Sequence, residues 1–241
     1  MRGIGLDAEQ VVRFEKLAAG DKPWRHVYSA REAEHLAAQP QAARAFCAAF
    51  CCKEAFYKAL GEFYSFPEFE CLYRPGVPEQ EFVLAPALKV RQAIEEFRVR
   101  IDERFLGERG EFVVEVYLTR RPAPRVGFPA SYLETLQVAA VEAGRQRIEE
   151  EHFLPAEVAA FGKRRAQSVA GALALKRALV RLWAEAGGAP AAVAPRDFEL
   201  GHHASGAPRL VAAPAGVALA DVFVSISHTR NWAYGLAAAG R

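Results

Sequence analysis

The sequence lacks the features that mark membrane-spanning, exported and nucleic-acid-binding proteins. Its 241 residues contain no apolar run long enough to cross a bilayer, and residues 1–20 lack the apolar core of a signal peptide. The formal net charge is only +2, which argues against a strong electrostatic footprint for nucleic acid. We therefore expect no membrane partner, no nucleic-acid partner and a cytoplasmic location.

Cysteine is also scarce, with four residues in the whole chain. Cys47 and Cys51 are one helical turn apart and are predicted to pack in a core. No Cys-x-x-Cys or Cys/His spacing indicates a metal site, and the remaining two cysteines, Cys52 and Cys71, complete no disulfide framework. A reducing compartment suits this pattern.

Two short acidic motifs lie in the first quarter of the chain. Residues 5–9 read Gly-Leu-Asp-Ala-Glu after an apolar start, which predicts a strand with Asp7 and Glu9 on one face. Paired carboxylates suit a hard cation such as Mg2+, which takes carboxylate, phosphate and water oxygens. The motif alone is weak, because a strand that runs into a polar turn often has this composition.

The second motif, residues 50–61, reads Phe-Cys-Cys-Lys-Glu-Ala-Phe-Tyr-Lys-Ala-Leu-Gly. Glu54 and Lys58 are four residues apart and share one face of the predicted helix, with Lys53 beside them. An ordinary surface ion pair, worth about 0.3–0.5 kcal/mol, is the alternative interpretation. The surrounding segment is apolar nearly all round, so these charges need solvent or a partner.

Three further motifs follow in the carboxy-terminal half. They are Arg-Arg-Ala-Gln-Ser-Val-Ala-Gly at 164–171, Gly-Ala-Pro-Arg-Leu at 206–210, and Val-Ser-Ile-Ser-His-Thr-Arg-Asn-Trp-Ala at 224–233. With the two acidic motifs, this set resembles the 4′-phosphopantetheinyl transferases. The resemblance implies an α+β fold: a pseudo-dimer of two similar lobes, each with a small, mostly antiparallel sheet packed against a long helix.

The order of the motifs differs from that of two-lobed transferases of the surfactin-synthetase type, in which the Gly-Pro and Ser-His motifs come first. Single-lobed holo-acyl-carrier-protein synthases have the order seen here, in roughly half the length. A tandem fusion or a circular permutation would explain this, and we favour permutation. It predicts that the strand from Trp232 to Ala239 neighbours the strand at Met1 to Asp7.

The resemblance implies transfer of the phosphopantetheine arm of coenzyme A to a serine of an apo acyl or peptidyl carrier protein. Asp7, Glu9 and Glu54 would bind Mg2+, with Mn2+ as a substitute. Glu54 would take the serine proton, and Lys58 would stabilise the leaving phosphate. The predicted coenzyme A contacts are Lys53, Lys163, Arg164, Arg165, Gly206, Pro208, Arg209, Ser227 and His228.

Two departures from the family pattern affect the nucleotide contacts. Gln167 and Ala207 stand where the family usually has arginine and lysine. Phosphate contacts would then shift to Arg165 and Arg209, or coenzyme A would bind weakly. A degenerate, non-catalytic module that binds a carrier protein or nucleotide is the alternative function. A metal hydrolase built on His202, His203 and His228 is disfavoured, because adjacent residues of an extended chain point apart.

We predict a catalytic lobe at 1–119, a linker at 120–132 and a nucleotide-binding lobe at 133–241, in a monomeric protein. The first lobe is predicted to have strands at 2–8, 67–73, 80–84 and 111–119, and helices at 10–19, from Ser29 to Gln39 and from Pro40 to Gly61. Ser29 and Glu32 have the spacing of a capping box, and Gly61 is the expected carboxy-terminal cap of its helix. The second is predicted to have strands at 134–142, 196–200, 208–212, 222–227 and 232–238, and helices from Pro155 and at 164–186.

Overall fold

The computed structural model describes residues 3–20, 26–62, 65–73, 97–120, 130–163, 165–185, 193–214 and 221–240. The chain divides into two compact units, an amino-terminal unit of residues 2–124 and a carboxy-terminal unit of residues 125–241 that also takes residue 1. The division falls inside the predicted linker at 120–132. Each unit is described separately.

The amino-terminal unit is a three-stranded antiparallel sheet packed against one long helix. Its strands are β1 (Gly3–Gln10), β2 (Phe97–Leu106) and β3 (Glu111–Arg120), and their order in the sheet is β1-β3-β2. Its helices are α1 (Glu15–Ala18), α2 (Ala30–Ala37) and α3 (Ala42–Leu60), with 3-10 turns at Val11–Phe14, Phe66–Glu68 and Gly107–Arg109.

The carboxy-terminal unit contains a second three-stranded antiparallel sheet, ordered β4-β8-β7, and a two-stranded sheet of β5 and β6. The strands are β4 (Ser131–Gln137), β5 (Glu199–His202), β6 (Pro208–Ala212), β7 (Val222–His228) and β8 (Trp232–Ala239). The helices are α4 (Val138–Ala143), α5 (Arg145–His152), α6 (Pro155–Ala160) and α7 (Arg165–Glu185), with a 3-10 turn at Pro195–Asp197.

The two units share one plan. In each, the first strand pairs antiparallel with the last strand, the penultimate strand lies on the other side of the last, and a long helix packs on the sheet. The predicted α+β fold of small antiparallel sheets with long helices is confirmed.

Glycine sets how closely α3 approaches β1. A Cβ atom built on Gly5 would lie 1.7 Å from the carbonyl oxygen of Ala55, and one built on Gly3 would lie 2.0 Å from that of Ala59. No side chain fits in that space, so helix and strand backbones pack directly together. The two acidic motifs, on β1 and α3, are therefore brought side by side.

The main core of the amino-terminal unit lies between α3 and the sheet. Phe46, Phe56, Phe112, Val114 and Val116 are among its buried residues. The predicted capping box at the start of α2 is present, and Gly61 ends α3 with φ +72, as its position after the last apolar residue indicated.

Four sequence predictions are wrong. Residues 67–73 contain part of a 3-10 turn and no strand, the helix at 10–19 is a 3-10 turn followed by α1, and the strand at 134–142 ends at Gln137 and continues as α4. Strand β1 does not neighbour β8, because β8 is flanked by β4 and β7. Strand β2 and helix α5 were not predicted, and the strand predicted at 80–84 lies outside the described residues.

All four cysteines are buried and free, as expected for core residues. No helix among the described residues is long and apolar enough to span a membrane.

Candidate active site

Asp7 lies at the centre of the acidic site in the amino-terminal unit. It stands on β1 two residues after Gly5, so its side chain faces α3, and only 6% of its surface is exposed. The Lys58 ammonium donates to Asp7 Oδ1 at 2.8 Å and to the Leu6 carbonyl oxygen at 2.9 Å. An ion pair between Asp7 and Lys58 thus links β1 to α3.

Glu9 and Glu54 both interact electrostatically with the carboxylate of Asp7. Burial raises the pKa of Glu54, the negative charge of Asp7 raises it further, and Lys58 lowers it. Burial also raises the pKa of Glu9, which is lowered by the paired Arg13 and raised by Asp7. Sequence reasoning brought these three carboxylates together, and their coupled electrostatics follow from that proximity.

The donor set suits a hard cation, since all three predicted ligands are carboxylates whose mutual repulsion a cation would relieve. Within the described part of the chain, however, no three His, Cys, Asp or Glu side chains are gathered closely enough to hold a metal ion. Lys58 is bound to Asp7, and Arg13 is bound to Glu9. The chemistry of the donors fits a metal, whereas their present positions are those of ion-paired side chains.

Lys53 corrects one sequence prediction. It was expected to contact coenzyme A, but its side chain is fully buried in the core. Its Nζ donates to Glu32 Oε2 at 2.6 Å and to two backbone carbonyl oxygens, those of Val27 and Phe66, at 2.8 and 3.1 Å. All three of its N–H groups have partners inside the protein, so Lys53 has a structural position.

A cavity of about 270 Å³ lies in the carboxy-terminal unit. Its lining includes residues from α7, β5, the β5–β6 turn, β6 and β7, namely Gln167, Ser168, His202, Gly206, Pro208 and His228. Its volume is slightly below the range of about 300–1,000 Å³ usual for ligand pockets, which suits part of a large ligand. Three of the predicted coenzyme A residues, Gly206, Pro208 and His228, are brought together here.

Ser227 does not join them. Successive side chains of a strand point to opposite faces, so Ser227 faces away from His228, and it is absent from the cavity lining. Contact of Ser227 with coenzyme A stays a prediction. The dipeptide was correctly located at the end of β7, but both side chains cannot serve one side of the strand.

The predicted basic contacts are dispersed. Arg165 makes two hydrogen bonds of 2.8 Å to Glu149, which holds its guanidinium at the start of α7. Lys163 and Arg209 are exposed, and Arg164 lies outside the described residues. None of Lys163, Arg165 and Arg209 lines the cavity.

Two residues that pair with predicted site residues were not predicted from the sequence. Glu32 is the partner of Lys53, and Arg13 is the partner of Glu9. Gln167, which the sequence placed at a nucleotide-contact position, donates to the carbonyl oxygen of Thr229 at 3.2 Å and lines the cavity. The four-residue spacing of Glu9 and Arg13 was the only available signal. Glu32 was recognised as a capping residue, but nothing local indicated its long-range partner.

Residues 3–104, which run from β1 into β2 and include both acidic motifs, match the family model described as the 4′-phosphopantetheinyl transferase superfamily. The matched segment makes up 102 of the 241 residues, a little under half of the chain. The sequence-based recognition of that superfamily is thereby confirmed for the segment that carries Asp7, Glu9, Glu54 and Lys58. No curated protein matches the chain.

Solved structures of holo-acyl-carrier-protein synthases resemble about half of the chain. The Helicobacter pylori synthase in complex with coenzyme A has 20% identity and a TM-score of 0.40, over 46% of this chain and 100% of its own. The Neisseria meningitidis synthase has 19% identity and a TM-score of 0.40, over 48% of this chain and 100% of its own. The Bacillus anthracis synthase has 21% identity and a TM-score of 0.40, over 47% and 98%.

Proposed function

We propose that the protein transfers the 4′-phosphopantetheine group of coenzyme A to a serine of an apo acyl or peptidyl carrier protein. The observation that carries the proposal is the meeting of β1 and α3, where Asp7, Glu54 and Lys58 lie together in the segment that matches the transferase superfamily. The serine oxygen would bond to the β-phosphorus of coenzyme A. The bond from that phosphorus to the bridging oxygen would break, and adenosine 3′,5′-bisphosphate would leave.

Glu54 is the proposed base for the serine proton. Burial and the charge of Asp7 raise its pKa above the ordinary carboxylate value, which makes its ionised form a better proton acceptor. Lys58 is the proposed donor to the phosphate oxygens. Its ammonium already sits between the β1 backbone and Asp7, within reach of a group bound there.

Asp7, Glu9 and Glu54 are the residues proposed to hold Mg2+, or Mn2+ in its place. When bound, the ion would offset the charge of the pyrophosphate and of the leaving group. Binding requires that Lys58 and Arg13 give up their present ion pairs in exchange for phosphate oxygens. The proposal therefore expects cation and coenzyme A to bind cooperatively.

The cavity of the carboxy-terminal unit is the proposed nucleotide site. Gly206 and Pro208 leave room for a flat base, and His228 and Ser168 offer polar atoms to phosphate or ribose. Gln167 hydrogen-bonds to the backbone there and carries no charge, so His228 is the proposed contact to the 3′-phosphate.

The deciding experiment is mass spectrometry of a panel of apo carrier proteins incubated with coenzyme A and Mg2+. A mass increase of about 340 Da on the carrier's serine is expected with the wild type and not with Glu54→Gln. If no carrier gains mass while calorimetry still detects carrier or nucleotide binding, the protein is a non-catalytic binding module. Omitting the divalent cation, with EDTA present, should abolish transfer.

A further inference from the structure

Lys53 and Glu32 form a completely buried ion pair directly beside the candidate active site. Both side chains have no exposed surface. Besides the 2.6 Å contact to Glu32, the Lys53 ammonium binds the carbonyl oxygens of Val27 and Phe66. The ammonium thereby fixes the middle of α3 to two other stretches of chain.

Glu32 extends the network. Its Oε1 accepts from the backbone N–H of Cys71 at 2.8 Å, and its Oε2 also accepts from that of Ser29 at 3.3 Å. The pair therefore joins α3, the start of α2 and residues 66–71. The hydrogen bonds link α3 to three separate segments of chain, so a rotation of α3 would break several of them at once.

The neighbour of Lys53 on α3 is Glu54. Consecutive residues of a helix are rotated by about 100°, so an anchored Lys53 determines the direction of Glu54. Close packing of Gly5 against Ala55 sets the distance between strand and helix. The buried pair adds directional hydrogen bonds to the apolar packing that limits rotation of the helix about its axis.

The carboxy-terminal unit contains a similar buried ion pair, between Lys176 and Glu157, but no glutamate follows the lysine there. Lys176 is the twelfth residue of α7, as Lys53 is of α3, and its Nζ lies 2.7 Å from Glu157 and 3.1 Å from the His152 carbonyl oxygen. The position after it is Arg177, where α3 has Glu54. This second pair is a natural control for the contact between Lys58 and Asp7, because it lies in the other unit. Glu157 also lines the cavity of that unit, so the control is compared by this contact and not by kcat.

Stability alone does not account for such a pair, because apolar side chains of similar volume often replace a buried ion pair without loss. We propose that Lys53 and Glu32 are positioning residues that hold α3 at the rotation in which Glu54 and Lys58 face Asp7. The catalytic importance of that orientation rests on the proposed function, whereas the orientation itself is seen in the structure.

The test compares two double variants, Lys53→Met with Glu32→Gln, and Lys176→Met with Glu157→Gln as the matched control. Each removes both charges of one pair and leaves an amide whose single carbonyl oxygen can accept one of the two backbone hydrogen bonds that the glutamate accepts. Crystal structures would report the distance between Lys58 Nζ and Asp7 Oδ1, which is 2.8 Å in the native protein. Thermal melting would report the cost of each change to the fold.

In the Lys53 double variant, we expect the contact between Lys58 and Asp7 to be broken and kcat to fall about 10- to 100-fold, with the KM for coenzyme A within about twofold of the wild type. The control should keep the contact. An intact contact with unchanged kcat in the Lys53 variant would overturn the proposal, as would equal loss of the contact in the control.

If the double variant does not fold, Glu32→Gln alone takes its place, since Lys53 then keeps its backbone acceptors. A loosened contact between Lys58 and Asp7 is expected there too, and a native contact would reject the positioning role. If the wild type transfers no phosphopantetheine, the proposed function fails, whereas the structural comparison still decides the positioning role.

Discussion

At the scale of single residues, Glu54 combines a proposed catalytic role with a cost to folding. In the folded protein, burial and the charge of Asp7 raise its pKa above the value in the unfolded chain. Ionised Glu54 is thus less favourable in the folded state. This cost is absent below the unfolded pKa of about 4.3, grows as the pH rises through the folded pKa, and persists above it.

Replacing Glu54 with glutamine should therefore stabilise the protein at neutral pH in metal-free buffer. The rise in melting temperature over the wild type should shrink as the pH falls toward about 4, where both side chains are neutral. Calorimetric melting of both proteins between pH 7 and about 4 measures this difference in melting temperature. Glu108→Gln, an exposed change in the same unit, is the control. A stabilisation that grew as the pH fell would contradict the assignment.

His228 should be the principal contact to the 3′-phosphate of coenzyme A. His228→Ala is expected to weaken coenzyme A about tenfold, equivalent to about 1.4 kcal/mol, and to affect dephospho-coenzyme A far less. Arg165→Ala should have a smaller effect, because Glu149 already holds that guanidinium outside the cavity lining. Calorimetry with both ligands measures the difference, and a wild type that binds them equally would reject the pocket assignment.

At the scale of elements, the packing of α3 on β1 depends on the absence of side chains at Gly3 and Gly5. Gly5→Ala would place a Cβ atom 1.7 Å from the Ala55 carbonyl oxygen, which forces the helix away from the strand. We expect a loss of about 1–3 kcal/mol or more in stability, with loss of transfer. Urea unfolding measures it.

Gly162→Ala is the matched control for that change. A Cβ atom there meets nothing within 4 Å, and the backbone has no positive φ. It should change the free energy of unfolding by less than about 0.5 kcal/mol. Equal effects of the two substitutions would remove the close packing as the explanation.

At the scale of the whole molecule, one chain carries two units of the same plan. We predict that the chain is monomeric, because both units of this plan are supplied by the same chain. Light scattering coupled to size exclusion should give a mass near 26.4 kDa. A stable trimer would contradict this.

The origin of the two units stays a prediction. The expected pairing of β1 with β8 was wrong, but permutation and tandem fusion both lead to two units with one topology. The buried pairs of Lys53 and Lys176 lie at the same position of their long helices, which supports a common ancestor for the two units.

Local sequence determined the long helices, because their apolar runs, glycine cap and capping box act within a few residues. It also determined which side chains of the acidic motifs share a face, since strand and helix periods are fixed by backbone geometry. The separation of Ser227 from His228 follows from the same period, although the sequence interpretation overlooked it.

Only the tertiary structure decided which residues each face of α3 and β1 contacts. Lys53 and Lys58 are equally charged and five residues apart, yet one is in the core with Glu32 and the other meets Asp7 at the site. Burial of a charge depends on partners supplied by distant segments, here 21 and 51 residues away along the chain. No local pattern encodes such partners, because desolvation and Coulomb attraction act through space after the chain has folded.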